Sequence, residues 1–152
     1  MATLLSEFKS ITEALNDAGI EYAVCGGWAM AIHGIPRATM DIDLLVLADD
    51  LEMIRQIAKD RGYDVEGLPL HFDVEIRRVS KVDRESKQLI TLDLLLVSEA
   101  LRDVWETRQE LSWDEGTTSV VSRDGLIKMK LLAGRKLDLA DIEKLREAQD
   151  ES

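Results

Sequence analysis

The chain has 152 residues, and its 19 Lys and Arg against 30 Asp and Glu give a formal net charge of −11. This length is typical of one domain with a buried core, and the acidic balance argues against a broad electrostatic grip on nucleic acid. No run of about 20 apolar residues and no basic, apolar leader is present, and the one cysteine, Cys25, excludes an internal disulfide framework. The sequence therefore predicts a cytoplasmic protein of one domain, residues 1–152, with no membrane partner.

Apolar spacing predicts alternating helices and strands. The ranges predicted to be helical are 3–18, 27–34, 50–61, 99–110 and two further helices from residue 124 onward, with Gly19 and Gly34 ending the first two. The ranges predicted to be strands are 21–25, 40–47, 71–79, 87–97 and 117–122, of which the third and fourth form a hairpin. The pattern predicts an α/β (α+β) fold. A mixed sheet flanked by helices would occupy about 20–122, followed by a C-terminal helix pair at about 123–148.

Two aspartates one residue apart begin the apolar segment 40–47. Residues two apart on a strand project to the same face, so Asp41 and Asp43 would stand together while Ile42 packs behind them. Two like charges there repel each other and are costly to desolvate, and a bound divalent cation would remove that cost. The alternative is that Asp41 caps a turn and Asp43 is solvated at a sheet edge.

Two further features suit a ligand that carries both phosphate and a metal ion. Gly26 and Gly27 lie where a strand meets a helix, a junction whose exposed N–H groups can bind phosphate, although a tight turn without a ligand is the alternative. Asp93 is the one charge in the apolar strand ITLDLLLV, and beside residues 40–47 it would complete a carboxylate cluster for two metal ions. A salt bridge to Arg77 or Arg78 is its alternative. A nucleoside triphosphate with Mg²⁺ would account for the glycines and the carboxylates together.

In combination these residues resemble the DNA polymerase β-type nucleotidyltransferase superfamily. The shared pattern is G-G, a gap of thirteen residues, D-h-D, and a later h-D-h strand. The stretch GGWAMAIHGIPRATMDIDLLV is similar to AbiEii-type and related minimal bacterial members, and LIKMKLLAGRKLDLADIEKL (126–145) resembles the AbiEii-type C-terminal helical motif. The resemblance covers about residues 20–146. It implies a Mg²⁺- or Mn²⁺-dependent transfer of a nucleoside monophosphate from an NTP to an acceptor hydroxyl, with release of pyrophosphate.

The resemblance also implies residue roles. Asp41 and Asp43 would bind both metal ions, and Asp93 would bind the catalytic ion and act as, or orient, the base. Gly26, Gly27 and Lys130 would contact the triphosphate. Arg37 and Thr39 match the family's R-x-T and would also contact the nucleotide. Asp138 would hold the helix pair or Lys130 in place. Family members often carry serine at the position of Gly27, so a hydroxyl contact is missing here.

Several of these residues also have plain structural interpretations. Lys130 could extend from an apolar helix to solvent, and Arg37 could pair with a carboxylate. Asp138 and Asp141 could be helix caps or solvated acids, and His33 could pack or form a hydrogen bond. Trp28 could pack on the sheet or stack on the nucleotide. His71, Asp73 and Glu75 could form a solvated face or the rim of the acceptor site. With two histidines and one cysteine, no zinc arrangement fits the chain well.

The acceptor stays open at this point. An RNA acceptor, with a tRNA end as the main candidate, would make the protein an AbiEii-type toxin with an antitoxin partner, and the net charge counts against it. A small-molecule hydroxyl would make it similar to aminoglycoside or lincosamide nucleotidyltransferases, which share the GGW and DIDL pattern; a protein hydroxyl is the third acceptor. A member that binds a nucleotide or a partner without turnover, and a metal-dependent phosphodiesterase, are the remaining alternatives.

Overall fold

The structure is a computed structural model that describes residues 3–35, 41–71, 74–113, 116–133 and 136–150. Its helices are α1 (Leu4–Asp17), α2 (Gly26–Ile32), α3 (Leu51–Asp60), α4 (Arg102–Glu106), α5 (Arg123–Ala133) and α6 (Lys136–Asp150). Its strands are β1 (Ala23–Cys25), β2 (Asp41–Val46), β3 (Val65–Glu66), β4 (Leu70–His71), β5 (Glu75–Val82), β6 (Leu89–Leu96), β7 (Gln109–Trp113) and β8 (Gly116–Val120). The predicted residues Arg37 and Thr39 lie outside the described ranges.

The described strands form one mixed sheet in the order β3-β5-β6-β2-β1-β8-β7, and β4 also pairs with β5. β2 and β6 are parallel neighbours in its middle, while β1 runs antiparallel to β2 and β5 runs antiparallel to β6. On one face, Leu44, Leu92 and Leu94 are completely buried. This arrangement confirms the predicted α/β class, a mixed sheet flanked by helices.

Helix α1 shows how local sequence fixes an element that covers the sheet. Thr3 and Ser6 cap its start reciprocally, with each side chain accepting a hydrogen bond from the other residue's backbone N–H. Phe8 and Ile11, three residues apart on one helix face, are buried against the core. The helix ends at Asp17 with Ala18 as its C-cap, and Gly19 follows with a φ of +70°, the left-handed conformation that closes helices.

The predicted elements differ from the structure mainly after residue 98. The helix predicted over 99–110 ends at Glu106, and Gln109–Trp113 forms the edge strand β7 instead. The strand predicted over 71–79 corresponds to β5, which begins at Glu75, while His71 belongs to β4. β3 was not predicted, because a two-residue strand is too short to show an alternating pattern. Within the described residues no helix is long and apolar enough to cross a membrane.

Candidate active site

The three predicted carboxylates lie on one face of the sheet. Asp41 and Asp43 are two apart on β2, and the parallel register sets Asp43 directly opposite Asp93 on β6. Such neighbours are separated by about 4.8 Å between strands. Because β2 lies between β1 and β6, Asp43 is not on a sheet edge, which removes the solvated-edge alternative. The exposure decreases across the group: Asp41 is exposed, Asp43 is half-buried, and Asp93 is only 6% exposed.

The carboxylates repel one another strongly. Burial raises the pKa of Asp43 to about 7, and the charges of Asp93 and Asp41 and a hydrogen bond with Asp93 act in the same direction. The pKa of Asp41 is also raised, first by burial and then by the charge of Asp93. The Arg78 charge opposes both shifts. In the described part of the chain, the charge of Arg78 therefore opposes the upward pKa shifts of Asp41 and Asp43 without cancelling them.

Arg78 pairs with Asp93 through both carboxylate oxygens. Its Nε donates to Oδ1 at 2.7 Å and its Nη2 donates to Oδ2 at 3.0 Å. The antiparallel register of β5 and β6 places these residues directly opposite each other. Arg77 projects to the other face and pairs with Glu75, so the salt bridge considered from sequence forms with Arg78.

The donor set suits a divalent cation, although its side chains are not gathered around one. In the described part of the chain no three Asp, Glu, His or Cys side chains are arranged to hold a metal ion. Both oxygens of Asp93 instead accept hydrogen bonds from Arg78. Carboxylate oxygens are the ligands that Mg²⁺ prefers, and the pKa of Asp43 is raised by burial and then by carboxylate repulsion, both of which a bound cation would offset. The residues present therefore fit the implied metal.

Gly26 makes room for Asp43. It follows β1 as the first residue of α2, with a φ of +65° that side chains rarely adopt. A Cβ at this position would overlap Oδ2 of Asp43 and lie 2.8 Å from its Cγ. Gly27 follows as the second helical residue, and the N-cap Cys25 makes no side-chain hydrogen bond to the first turn. The glycine pair thus sits beside the carboxylates, as the sequence pattern predicts.

Comparison with known proteins identifies the family. Residues 7–115, which include the glycine pair and all three aspartates, match the family described as aminoglycoside-2″-adenylyltransferase. The chain belongs to this family. It is accordingly a nucleotidyltransferase, as predicted, whereas the narrower AbiEii resemblance gains no support from the match. No curated protein is significantly similar to the chain.

Solved structures of nucleotidyltransferases share the fold of this family member. ANT(2″)-Ia in complex with adenylyl-2″-tobramycin has a TM-score of 0.63 at 14% identity, over 99% of this chain and 97% of that one. The lincomycin-bound lincosamide adenylyltransferase LnuA has a TM-score of 0.62 at 18% identity, over 91% and 93%. A candidate nucleotidyltransferase from Thermotoga maritima has a TM-score of 0.66 at 15% identity, over 97% and 93%. At such identities the likeness shows a common fold.

Lys130 lies in the interior of this nucleotidyltransferase. It is 7% exposed on α5, and its Nζ donates to Oδ2 of Asp141 on α6 at 3.0 Å. Burial, then the charges of Asp43 and Asp93, raise the pKa of Cys25 well above its usual range, and the charge of Lys130 opposes this shift. Lys130 therefore lies on the side of the molecule where β1 meets Gly26. Its contact with a triphosphate stays a prediction.

Asp141 is the residue that sequence reasoning missed. The expectation of a helix cap or solvated acid is wrong for it, because it lies inside α6 and is 2% exposed. The available signal was its position beside Ile142 and one turn before Leu145, two buried residues of the same stripe. The side chain of Asp138, predicted to support Lys130, lies outside the described residues.

Trp28 of α2 and His33, which follows the helix as its C-cap, serve packing and hydrogen bonding. Trp28 stacks on Phe8, with ring centroids 4.3 Å apart, and meets Trp113 edge-on, which agrees with the packing interpretation. The Nε2 of His33 donates to the backbone oxygen of Val121 at 2.8 Å, as expected for a hydrogen-bonded histidine. Of the predicted polar face, Glu75 is described and pairs with Arg77, whereas the side chains of His71 and Asp73 lie outside the described residues.

Proposed function

We propose that the protein transfers AMP from ATP to a hydroxyl group of a small, amine-bearing, antibiotic-type acceptor and releases pyrophosphate. The observation that carries this proposal is the family match, which spans the three carboxylates gathered on one sheet face. The fold likeness to enzymes bound to lincomycin and to adenylyl-2″-tobramycin supports the same acceptor class. The net charge of −11 also favours a cationic acceptor over an RNA, whose phosphates the acidic surface would repel.

The carboxylates have a defined part in this proposal. Asp41, Asp43 and Asp93 would hold the divalent cation, which would supply neutralising charge to the triphosphate. The acceptor oxygen forms a bond to the α-phosphorus as the bond from that phosphorus to pyrophosphate breaks. Asp93 takes the hydroxyl proton at a carboxylate oxygen and passes it to solvent, because its position opposite Asp43 sets it beside the same reacting centre.

The remaining residues orient the nucleotide. The N–H groups that follow Gly26 and Gly27 face the phosphates at the start of α2, where no side chain of Cys25 caps them. Lys130 contributes positive charge on that side of the molecule and is held in place by Asp141. Arg37 and Thr39 are proposed nucleotide contacts on the sequence pattern alone. Positioning and charge neutralisation are the main contributions of protein to this kind of transfer.

The test is a transfer assay with defined acceptors. Purified protein is incubated with Mg²⁺, each of the four NTPs and either tobramycin, lincomycin or total tRNA, and pyrophosphate release and the acceptor mass are measured. ATP-dependent addition of AMP to a small acceptor is expected, with loss of activity in Asp43→Asn. The matched control Arg102→Gln, which removes an exposed charge paired with Glu99, should retain activity. Transfer to tRNA and to neither antibiotic would refute the acceptor class and restore the toxin interpretation.

A further inference from the structure

The Arg78–Asp93 ion pair joins a buried carboxylate to a partly exposed guanidinium. The side chain of Asp93 is 8% exposed, whereas that of Arg78 is 43% exposed. The guanidinium uses two donors against both carboxylate oxygens, at 2.7 and 3.0 Å, which is the bidentate geometry that gives this pairing its strength. Asp93 is therefore fully paired by a residue that also reaches solvent and can withdraw toward it.

The same oxygens are the ones a metal ion would need. Each oxygen of Asp93 that accepts a hydrogen bond from Arg78 is less available to a cation, and the positive guanidinium repels a second positive charge beside it. The registers set Arg78 directly opposite Asp93, and Asp93 directly opposite Asp43, so the guanidinium lies beside the carboxylates that the cation would need. Arg78 thus lies at the carboxylate face with its guanidinium committed to both oxygens of Asp93.

We propose that Arg78 is a positioning residue that sets the affinity of this carboxylate face for its divalent cation. It holds Asp93 in the cation-free protein and releases at least one carboxylate oxygen as the cation binds. The absence of a preformed three-residue metal cluster among the described residues agrees with this competition. The inference rests on the proposed function, since it requires that the face binds a metal.

The experiment is a titration with Mn²⁺ in the absence of nucleotide, at a pH above the pKa of Asp43. Electron paramagnetic resonance measures the free Mn²⁺ at each step. Arg78→Gln removes the competing charge, so its dissociation constant for Mn²⁺ should be lower than that of the wild type, by about 10-fold, a typical size for coupled binding. Arg78→Lys keeps one charge without the two-pronged geometry, and its dissociation constant should fall between the two. Arg102→Gln, which makes the same change of net charge at an exposed ion pair, should bind Mn²⁺ as the wild type does.

The outcomes separate this inference from the proposed function. If the wild type and Asp43→Asn bind Mn²⁺ equally weakly, the face is not a metal site and the proposed function loses its metal. If the wild type binds through Asp43 but Arg78→Gln and Arg78→Lys bind no more tightly, the pair is structural and the inference is overturned. Circular dichroism checks the fold of each variant, and should Arg78→Gln fail to fold, Arg78→Lys decides by its own shift.

Discussion

The substitution Gly26→Ala should destabilise the protein and displace the carboxylate of Asp43. Two costs add at this position. An L-residue in the left-handed region costs about 1–2 kcal/mol, and a methyl group forced into a filled space costs about 1–3 kcal/mol more. The filled space is the carboxylate of Asp43, whose Cγ would lie 2.8 Å from the new Cβ. The expected loss of unfolding free energy is therefore about 2–5 kcal/mol, with loss of transfer activity because Asp43 must move.

Gly19→Ala is the matched control for this prediction. Gly19 has a φ of +70°, nearly that of Gly26, but nothing lies within 4 Å of an added Cβ there. Only the conformational cost of about 1–2 kcal/mol should appear, and activity should be retained. Urea unfolding gives the two free energies, and pyrophosphate release gives the two activities. Equal destabilisation by both substitutions, with an active Gly26→Ala enzyme, would refute the claim that Gly26 makes room for the carboxylate.

Other substitutions test the charges and the interior. Burial raises the pKa of Asp43 to about 7, so ionisation of this group destabilises the cation-free fold as pH rises from about 4 to about 7. The free energy of unfolding of Asp43→Asn should therefore equal that of the wild type near pH 4. Above pH 7 it should exceed the wild-type value, by at most about 4 kcal/mol. A difference in unfolding free energy that is constant with pH, measured with a chelator present, would contradict this. Lys130→Met and Asp141→Asn should each destabilise the protein by about 3–5 kcal/mol, and the double variant by less than the sum, in a double-mutant cycle of urea unfolding. Tyr63→Phe removes a 3.0 Å hydrogen bond to Glu7 on another part of the molecule, so unfolding should become easier by about 1–3 kcal/mol while the transfer rate stays unchanged.

The sequence could predict the carboxylate face because its signals are local. Strand periodicity alone puts Asp41 and Asp43 on one side, and a lone charge in an apolar strand marks Asp93 as a residue that needs a partner. The glycine pair marks a backbone requirement at the turn, and the structure adds that its first member is shaped to the carboxylate of Asp43. Each of these inferences depends on residues within one strand or one turn.

The partner of Asp93 could not be predicted, because it depends on strand register. A shift of one residue between β5 and β6 would exchange Arg78 for Arg77 on the carboxylate face, and no property of either strand alone excludes that shift. Asp141 was missed for a related reason: the pairing of α5 with α6 sets what faces Lys130. Strand β7 was missed although Leu111 and Trp113 alternate with polar residues, because this alternation covers only a few residues at the end of a segment predicted to be helical.

The carboxylates destabilise one face of the sheet, whereas the opposite face packs into the core and stabilises the fold. Repelling carboxylates weaken the cation-free protein on the side of Asp43, as its raised pKa shows. Along the same strands, alternate residues such as Ile42, Leu44 and Leu92 are fully buried on the other side. Because the faces alternate residue by residue, substitutions on the carboxylate face can change its charge without altering the packing of the other face. Conservative substitutions of the carboxylates should therefore change Mn²⁺ affinity and the free energy of unfolding while the protein stays folded.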